Sequence, residues 1–318
     1  MSEKVSFGVF LPFHAFQNYR GKTMFNSIRD VTLECESLGY HSIWLDDHLM
    51  YKNSQILECW TTLAALSTVT SRIRLGTMVT CVSFRKPALL AKMAATLDVI
   101  SGGRLEFGIG SGIQEEEHLA YGFPFPPAST RIAHLNEALD VIKKLWTEDK
   151  ADYAGNHEHI NGAICEPKPL QKPHPPITIG GGGEKLTMKV AARHADRFDW
   201  GYVPSLDRYK HKLEILKRQC AEIGRDFQEI EKSCWPGGQV VIAQDRGELE
   251  AKIAREKPRS ISREEFEKTS LIGTPHECVS KLQPYIDLGV THFMLFFGDL
   301  PSLNSLRLFA ETIVKKYI

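Results

Sequence analysis

The chain has no excess charge of either sign: 39 Lys and Arg residues balance 39 Asp and Glu. Without a surplus of cations there is little to draw it non-specifically to nucleic acid or to an anionic membrane, although a local basic pocket for one phosphate remains compatible with neutrality. No apolar run approaches the ~18 residues that a membrane-crossing helix needs. The apolar stretch 5–12 is short and is followed by no small-residue cleavage site, so it reads as a buried first strand and not as a signal peptide. A cytoplasmic location is the expectation. The seven cysteines, at positions 35, 59, 81, 165, 220, 234 and 278, form no CxxC pair and are odd in number. That pattern suits reduced thiols better than a disulfide scaffold or a cysteine zinc site. HExxH is absent, and His157-Glu158-His159 has no partner at a recognisable ligand spacing, so no metal is expected. No low-complexity tract or linker interrupts the 318 residues, which predicts one domain over 1–318 with a sizeable core.

What is present is an alternation of strand and helix. Short β-branched apolar runs recur at 5–11, 42–45, 73–80, 105–109, 177–179, 198–202, 239–243 and 292–297. Apolar runs without alternation suit parallel strands buried on both faces. Between them, 128–148 carries one stripe of Ile132, Leu135, Leu139, Ile142 and Trp146, and 205–223 repeats the pattern behind a Ser205 N-cap. Thr274-Pro275-His276-Glu277 is a capping box with proline in the first turn. Gly39 and Gly289 each stand where a left-handed helix cap hands over to a strand, one αβ turn used twice. Eight such strands favour a closed (β/α)8 TIM barrel over an open doubly wound sheet. The seventh is the least regular, because Trp235-Pro236-Gly237-Gly238 interrupts its approach. Two stretches break the rhythm, 149–175 and the charge-dense 245–270, each read as a lid or a solvated excursion.

In a barrel, chemistry sits where strands end and βα loops begin. The second strand ends in Asp46-Asp47-His48. An imidazole there can exchange protons or steady a developing anion; equally, an aspartate there can cap the next segment with His48 an ordinary loop residue. The third strand runs through Met78-Val79-Thr80-Cys81 toward Pro87, with no chemical signal of its own. The fourth ends in Gly110-Ser111-Gly112-Ile113, neither a dinucleotide fingerprint nor a nucleophile elbow; it reads as a close ligand approach or a bulged strand. The fifth leads into Gly180-Gly181-Gly182-Gly183 and a helix expected from Lys185. Four glycines before a helix N-terminus present backbone N–H groups beside a positive dipole end, an arrangement that binds phosphate; the other reading is a tight βα turn.

Together these segments resemble the bacterial-luciferase-like monooxygenase superfamily, and more narrowly its deazaflavin (coenzyme F420)-dependent branch. The phrases that carry the resemblance are 36–48, 72–80, Asp98-Val99-Ile100-Ser101-Gly102-Gly103-Arg104-Leu105-Glu106 through Gly112, Glu115-Glu116-Glu117-His118 with Tyr121-Gly122, 167–176 and the glycine run. The resemblance implies a (β/α)8 barrel with the cofactor across its mouth. It places Asp47 and His48 against the ring system, His48 as proton donor, acceptor or anion stabiliser. It puts a non-proline cis peptide near Met78-Val79, with Thr80 and Cys81 toward the ring edge or tail. Gly110, Ser111 and Gly112 would flank the cofactor's side chain, and the glycines at 180–183 would hold its phosphate. Two positions depart from the pattern: Cys81 stands where relatives have proline or threonine, and Ile113 where tryptophan or an acid is common. Sugar-phosphate dehydrogenase members carry a catalytic acid at that place. Isoleucine cannot protonate a substrate, so that activity is not implied here and His48 is left as the one obvious acid–base group. The expected function is hydride transfer between F420 and a small organic substrate. The alternatives are an FMN-dependent monooxygenase and a non-catalytic flavin-binding protein. A homodimer is implied, and substrate walls are expected from loops 11–22, 49–56, 149–175 and 245–270.

Overall fold

Runs such as Leu105–Gly110, in which every residue is buried, have nowhere to go but between two layers. The computed structural model, which describes residues 5–17, 22–202 and 205–317, places them inside a ring of helices. In chain order the first half is β1 (Ser6–Phe10), α1 (Met24–Ser37), β2 (Ser42–Leu45), α2 (Cys59–Ser67), β3 (Arg74–Thr77), β4 (Thr80–Cys81), α3 (Pro87–Ser101), β5 (Leu105–Gly110), α4 (Glu115–Ala120), α5 (Ala128–Thr147), β6 (Ala151–Ala154) and β7 (His159–Ala163). The second half is β8 (Ile177–Gly180), α6 (Thr187–His194), β9 (Arg197–Asp199), α7 (Leu206–Glu222), β10 (Glu231–Cys234), β11 (Val240–Ile242), α8 (Arg246–Glu256), α9 (Arg263–Thr269), β12 (Leu271–Gly273), α10 (Pro275–Ile286), β13 (Val290–Leu295) and α11 (Asn304–Thr312).

The strands pair in parallel in the order β1-β2-β3-β5-β8-β9-β10-β13, and β13 returns to β1 with Ser6 opposite His292. The barrel is therefore closed. Past β3 the chain resumes as β4, which pairs Thr80 with Ile109 of β5. Between the two lies a cis peptide at Met78-Val79. The expected αβ turn is used twice, with Gly39 at φ 84° and Gly289 at φ 85°. Ser205 accepts the Arg208 N–H at 3.3 Å, and Glu277 accepts the Thr274 N–H at 2.9 Å, so both expected helix starts are in place.

The seventh strand corrects the sequence reading. It is β10, not 239–243. Glu-Lys-Ser-Cys carries no apolar signature, yet its polar groups are answered inside the barrel: Arg197 donates to Glu231 at 2.6 Å and Ser233 donates to Asp199 at 2.6 Å. The apolar Val240–Ile242 instead pairs outside the ladder with β12. With α8 and α9 it encloses a small second core of Val241, Ala243, Leu249, Ile253, Phe266 and Ile272. The stretch 245–270 is thus neither lid nor open excursion but two helices, N-capped by Asp245 and Ser262. The stretch 149–175 contains an antiparallel hairpin, β6 against β7. Of loop 11–22, residues 18–21 lie outside the described residues. All seven cysteines are buried and unpaired. Among the described residues no helix is long and apolar enough to cross a membrane.

The N-terminal end of the barrel is closed by charge. Glu106 takes Arg197 at 2.8 Å and also pairs with Arg74, and all but Arg74 of this trio is almost wholly buried. Burial pushes the Glu106 carboxyl up, but Arg197, Arg74 and His41 outweigh it and hold the carboxyl below its ordinary range. Removing one partner of a buried pair strands the other, so Glu106→Gln is expected to cost about 3–5 kcal/mol at neutral pH in urea unfolding. A carboxyl with a lowered folded-state pKa stabilises above its unfolded pKa and loses that contribution as pH falls through the folded value. The gap between wild type and variant should therefore narrow in acid; a gap independent of pH would contradict this account.

Candidate functional site

The opposite end opens into a cavity of about 470 Å³. Its walls come from the ends of β2 (Asp47, His48), β3 and β4 (Met78, Val79, Cys81), β5 (Gly110, Ser111, Gly112), β8 (Gly180 to Gly183), β9 (Asp199, Trp200) and from Trp235 after β10. Every residue that the sequence marked as a candidate lines this one space except Thr80. Successive strand residues point to opposite faces, so with Cys81 facing the cavity, Thr80 lies behind it, buried and with its hydroxyl unpartnered.

Asp47 is held from three directions. Its Oδ2 accepts the Cys81 N–H at 2.9 Å and Arg85 at 2.7 Å, and its Oδ1 accepts Arg85 at 2.9 Å. Burial raises the Asp47 carboxyl, whereas the forked guanidinium and the amide favour the carboxylate. Arg85 also donates to Glu58 at 2.5 Å, and Glu58 caps α2 by accepting the Thr61 N–H. The expected position of Asp47 at the cavity wall is thus joined to a bracing role. Asp46 accepts the Phe13 N–H at 3.1 Å and the Tyr51 hydroxyl at 2.9 Å.

His48 does not act alone, which corrects the expectation of a single acid–base group. Its Nδ1 meets Glu117 Oε2 at 3.0 Å, and the same carboxylate accepts the Leu49 and Met50 N–H groups. Glu117 sits in the first turn of α4, buried. With Nδ1 occupied, Nε2 is the ring nitrogen left for a ligand. Burial opposes charge on the imidazole, but the hydrogen bond and charge of Glu117, with Asp46 and Asp47, outweigh it and raise the pKa above 6.5. The contact joins positions 69 apart in sequence. The acidic triplet 115–117 was visible, but nothing local pointed it at His48.

The glycines have two different reasons. A Cβ on Gly110 would lie 2.8 Å from Val79 Cγ2, and one on Gly180 2.7 Å from Val79 Cγ1. These two positions make room for the Val79 side chain, a packing need. Gly181 has φ 117°, a conformation that L side chains rarely adopt. A Cβ on Gly183 would lie 2.7 Å from the Thr187 hydroxyl. Among the described residues the N–H groups of Gly182 and Gly183 find no acceptor. The following helix begins at Thr187, not Lys185, after a turn over 184–186. Lys212 donates to the Gly182 carbonyl at 2.7 Å and braces the loop. Free amides, a threonine hydroxyl and a helix start in one cradle suit a phosphate.

Cys81 faces His118 Nε2 at 3.6 Å, while His118 Nδ1 donates to the Gln114 carbonyl at 2.7 Å. Burial pushes the thiol up to about 12, so it stays a thiol at neutral pH. Ile113 is 78% exposed at the cavity edge and supplies no proton. His157-Glu158-His159 gathers no ligand set: Glu158 bonds His134 at 2.8 Å, and among the described residues no group of three or more potential ligands forms.

Residues 5–262 match the model of the luciferase-like monooxygenase family. The chain belongs to that family. An F420-dependent glucose-6-phosphate dehydrogenase of Amycolatopsis mediterranei is 24% identical over 316 residues, covering 90% of this chain and 93% of the relative. Among solved structures, the coenzyme F420-dependent tetrahydromethanopterin reductase of Methanopyrus kandleri superposes with a TM-score of 0.81 at 20% identity, covering 99% of this chain and all of that one (100%). The monooxygenase RslO1 of Streptomyces bottropensis gives a TM-score of 0.81 at 23% identity, covering 98% of this chain and 100% of its own. These structural likenesses are of fold.

The His48–Glu117 contact makes a direct prediction. In Glu117→Gln the imidazole loses its anionic partner, and its pKa, followed by NMR of the ring protons, should fall below the wild-type value. An unchanged titration would remove Glu117 from the site.

Proposed function

We propose that the chain is an oxidoreductase that moves hydride between coenzyme F420 and a small organic substrate. The observation that carries this reading is the meeting of a phosphate-type cradle with the Asp47–His48–Glu117 cluster on one cavity. The F420-dependent relative, matched over 93% of its length, supports it. The residues fit such a cofactor: the amides of Gly182 and Gly183 with Thr187 would take the phosphate, and Met78, Val79 and Cys81 would back the ring. Gly110, Ser111 and Gly112 would flank its side chain.

When bound, the deazaflavin supplies the carbon that gives or accepts hydride. The protein's share is positioning, exclusion of water and one proton. Glu117 fixes His48 in orientation and keeps it protonated further toward neutrality, so Nε2 is the atom that gives a proton to a substrate oxygen or steadies its negative charge. In the reduction direction, turnover should decline as pH rises through the His48 pKa, and that break should move to lower pH in Glu117→Gln. With Ile113 at the position of an acid, the substrate class of the glucose-6-phosphate dehydrogenase is not carried over, and an unsaturated or carbonyl compound is the class proposed.

The deciding experiment is fluorescence titration of purified protein with F420 and, separately, with FMN. Tight binding of F420 alone is the expected result. Tight binding of FMN alone would replace this reading with the monooxygenase one, and binding without hydride exchange to any acceptor would leave a flavin-binding protein.

We also propose one domain over 1–318, a cytoplasmic location, no nucleic-acid partner, and a homodimer. The dimer is supported by an apolar groove between α2 and α3, lined by Trp60, Ala64, Met93, Leu97 and Ile100, the last 51% exposed. Sedimentation should give twice the chain mass, and Ile100→Glu should shift it toward the monomer; a monomeric wild type would end the dimer proposal.

A further inference from the structure

Among the described residues three carboxyls line the cavity: Asp47, Glu117 and Asp199. Two are committed. Asp47 is taken by Arg85 and the Cys81 amide, and Glu117 by His48 and the amides of Leu49 and Met50. Asp199, at the end of β9, has no cation within ion-pair distance among the described residues. Its Oδ2 accepts the Ser233 hydroxyl at 2.6 Å and its Oδ1 the Gly201 N–H at 2.7 Å. Arg197, two residues back on the same strand face, is taken by Glu106 and Glu231. Opposite on β8 stand Gly180 and Thr178, neither of them ionisable. Burial pushes the Asp199 carboxyl above its ordinary range, against the Ser233 hydroxyl, the Gly201 amide, Arg197 and the Trp235 indole, which favour the carboxylate. A buried carboxyl without a cation gives up its charge by holding its proton.

Behind Asp199 a line of polar side chains runs through the barrel interior. Ser233 Oγ lies 3.0 Å from His292 Nδ1, and His292 Nε2 lies 3.5 Å from the Ser42 hydroxyl, which accepts the Trp44 indole N–H at 2.8 Å. Burial, with Arg197 and His41, holds the His292 ring well below its ordinary range, so it is neutral. An indole N–H can only donate, which leaves the Ser42 hydrogen for His292 Nε2. His292 then donates from Nδ1 to Ser233, and Ser233 donates to Asp199. Every hydrogen along the line is thus directed at Oδ2. The carboxyl proton is left to Oδ1, which the Gly201 amide alone holds. With Oδ2 turned to Ser233 inside the barrel, Oδ1 is the oxygen left for the cavity.

His48 and Asp199 stand on opposite sides of the mouth, since the strand order β1-β2-β3-β5-β8-β9-β10-β13 puts four steps between β2 and β9 in either direction. Two groups so placed do not serve one atom. Reduction of an isolated carbonyl asks for a proton at the oxygen alone, which His48 can give. Reduction of a carbon–carbon double bond conjugated to a carbonyl asks for stabilisation of charge at the oxygen and a proton at carbon. The geometry points to Asp199 as a second catalytic group, one that hands the proton from Oδ1 to a substrate carbon while His48 steadies the substrate oxygen. The step rests on the deazaflavin reading for its hydride. Hydride adds to the β carbon, and the π pair moves toward the α carbon and the oxygen. The Oδ1–H bond breaks and a C–H bond forms at the α carbon. Asp199 is left as the carboxylate and regains its proton from water when product leaves. The substrate class is thereby narrowed to α,β-unsaturated carbonyl compounds.

The test begins without any cofactor. Infrared difference spectra of wild type against Asp199→Asn should show a protonated carboxyl at neutral pH. Its absence overturns the assignment, because Asp199 is then a carboxylate waiting for a cation. In Ser233→Ala the carboxylate loses a donor, so the same band should persist to higher pH than in wild type. An unmoved band overturns the line of hydrogen bonds that puts the proton on Oδ1. Turnover is then followed with reduced deazaflavin and 2-methylcyclohex-2-enone in D2O. Wild type should place deuterium on one face of the α carbon. Asp199→Asn should lower kcat about a hundredfold, the scale of one general acid, with KM little changed and deuterium on both faces. The fall in rate with rising pH should move up in Ser233→Ala, the opposite of its shift in Glu117→Gln. Retained kcat and facial selectivity in Asp199→Asn, or no reduction of the enone by wild type holding the deazaflavin, overturns the proposal. Failure of the deazaflavin to bind overturns the cofactor reading instead, and the infrared band still decides the state of Asp199.

Discussion

The mouth of the barrel depends on one carboxylate. Asp47 ties its own loop to the Cys81 amide and, through Arg85, to Glu58 and the start of α2. Parallel strands carry no connection to each other at their C-terminal ends beyond the ladder, so the loops there need some such tie to hold a shape. Because both oxygens of Asp47 are used and the group is almost completely buried, it is poorly placed to exchange protons. The neighbouring imidazole is the group left with a free nitrogen. One residue of the wall is thereby held fixed and the next keeps a ring nitrogen without a hydrogen-bond partner among the described residues.

The two ends of the barrel use charge in opposite ways. At the N-terminal end Glu106, Arg197, Arg74 and Glu231 answer one another. At the C-terminal end the amides of Gly182 and Gly183, the Nε2 of His48 and the Nε of Arg131 find no hydrogen-bond partner among the described residues. Folding stability is concentrated where the polar groups are satisfied, and recognition where they are not.

Much of this was legible in the sequence, and the failures have physical reasons. Strands such as Leu105–Gly110 were readable because burial on both faces favours an apolar run, which Glu106 alone interrupts. The seventh strand was not, because Glu231 and Ser233 are satisfied by Arg197 and Asp199, residues of a neighbouring strand. The apolar Val240–Ile242 misled because a small core outside the barrel asks for the same residues. Gly110 and Gly180 were found for a ligand's sake, yet Val79 also requires them. Glu117 was overlooked as a partner since only the closed ring brings α4 over the end of β2. Local patterns report what a residue's neighbours in sequence require; contacts across the barrel leave no such trace.

Two of the five tryptophans, Trp200 and Trp235, stand in the cavity wall, while Trp44, Trp60 and Trp146 are buried elsewhere. A chromophore seated in the cavity would lie beside those two indoles, close enough to quench their emission. The protein thus contains its own optical gauge of occupancy, positioned by the same strand ends that shape the cavity, and ligand arrival is readable without any added label.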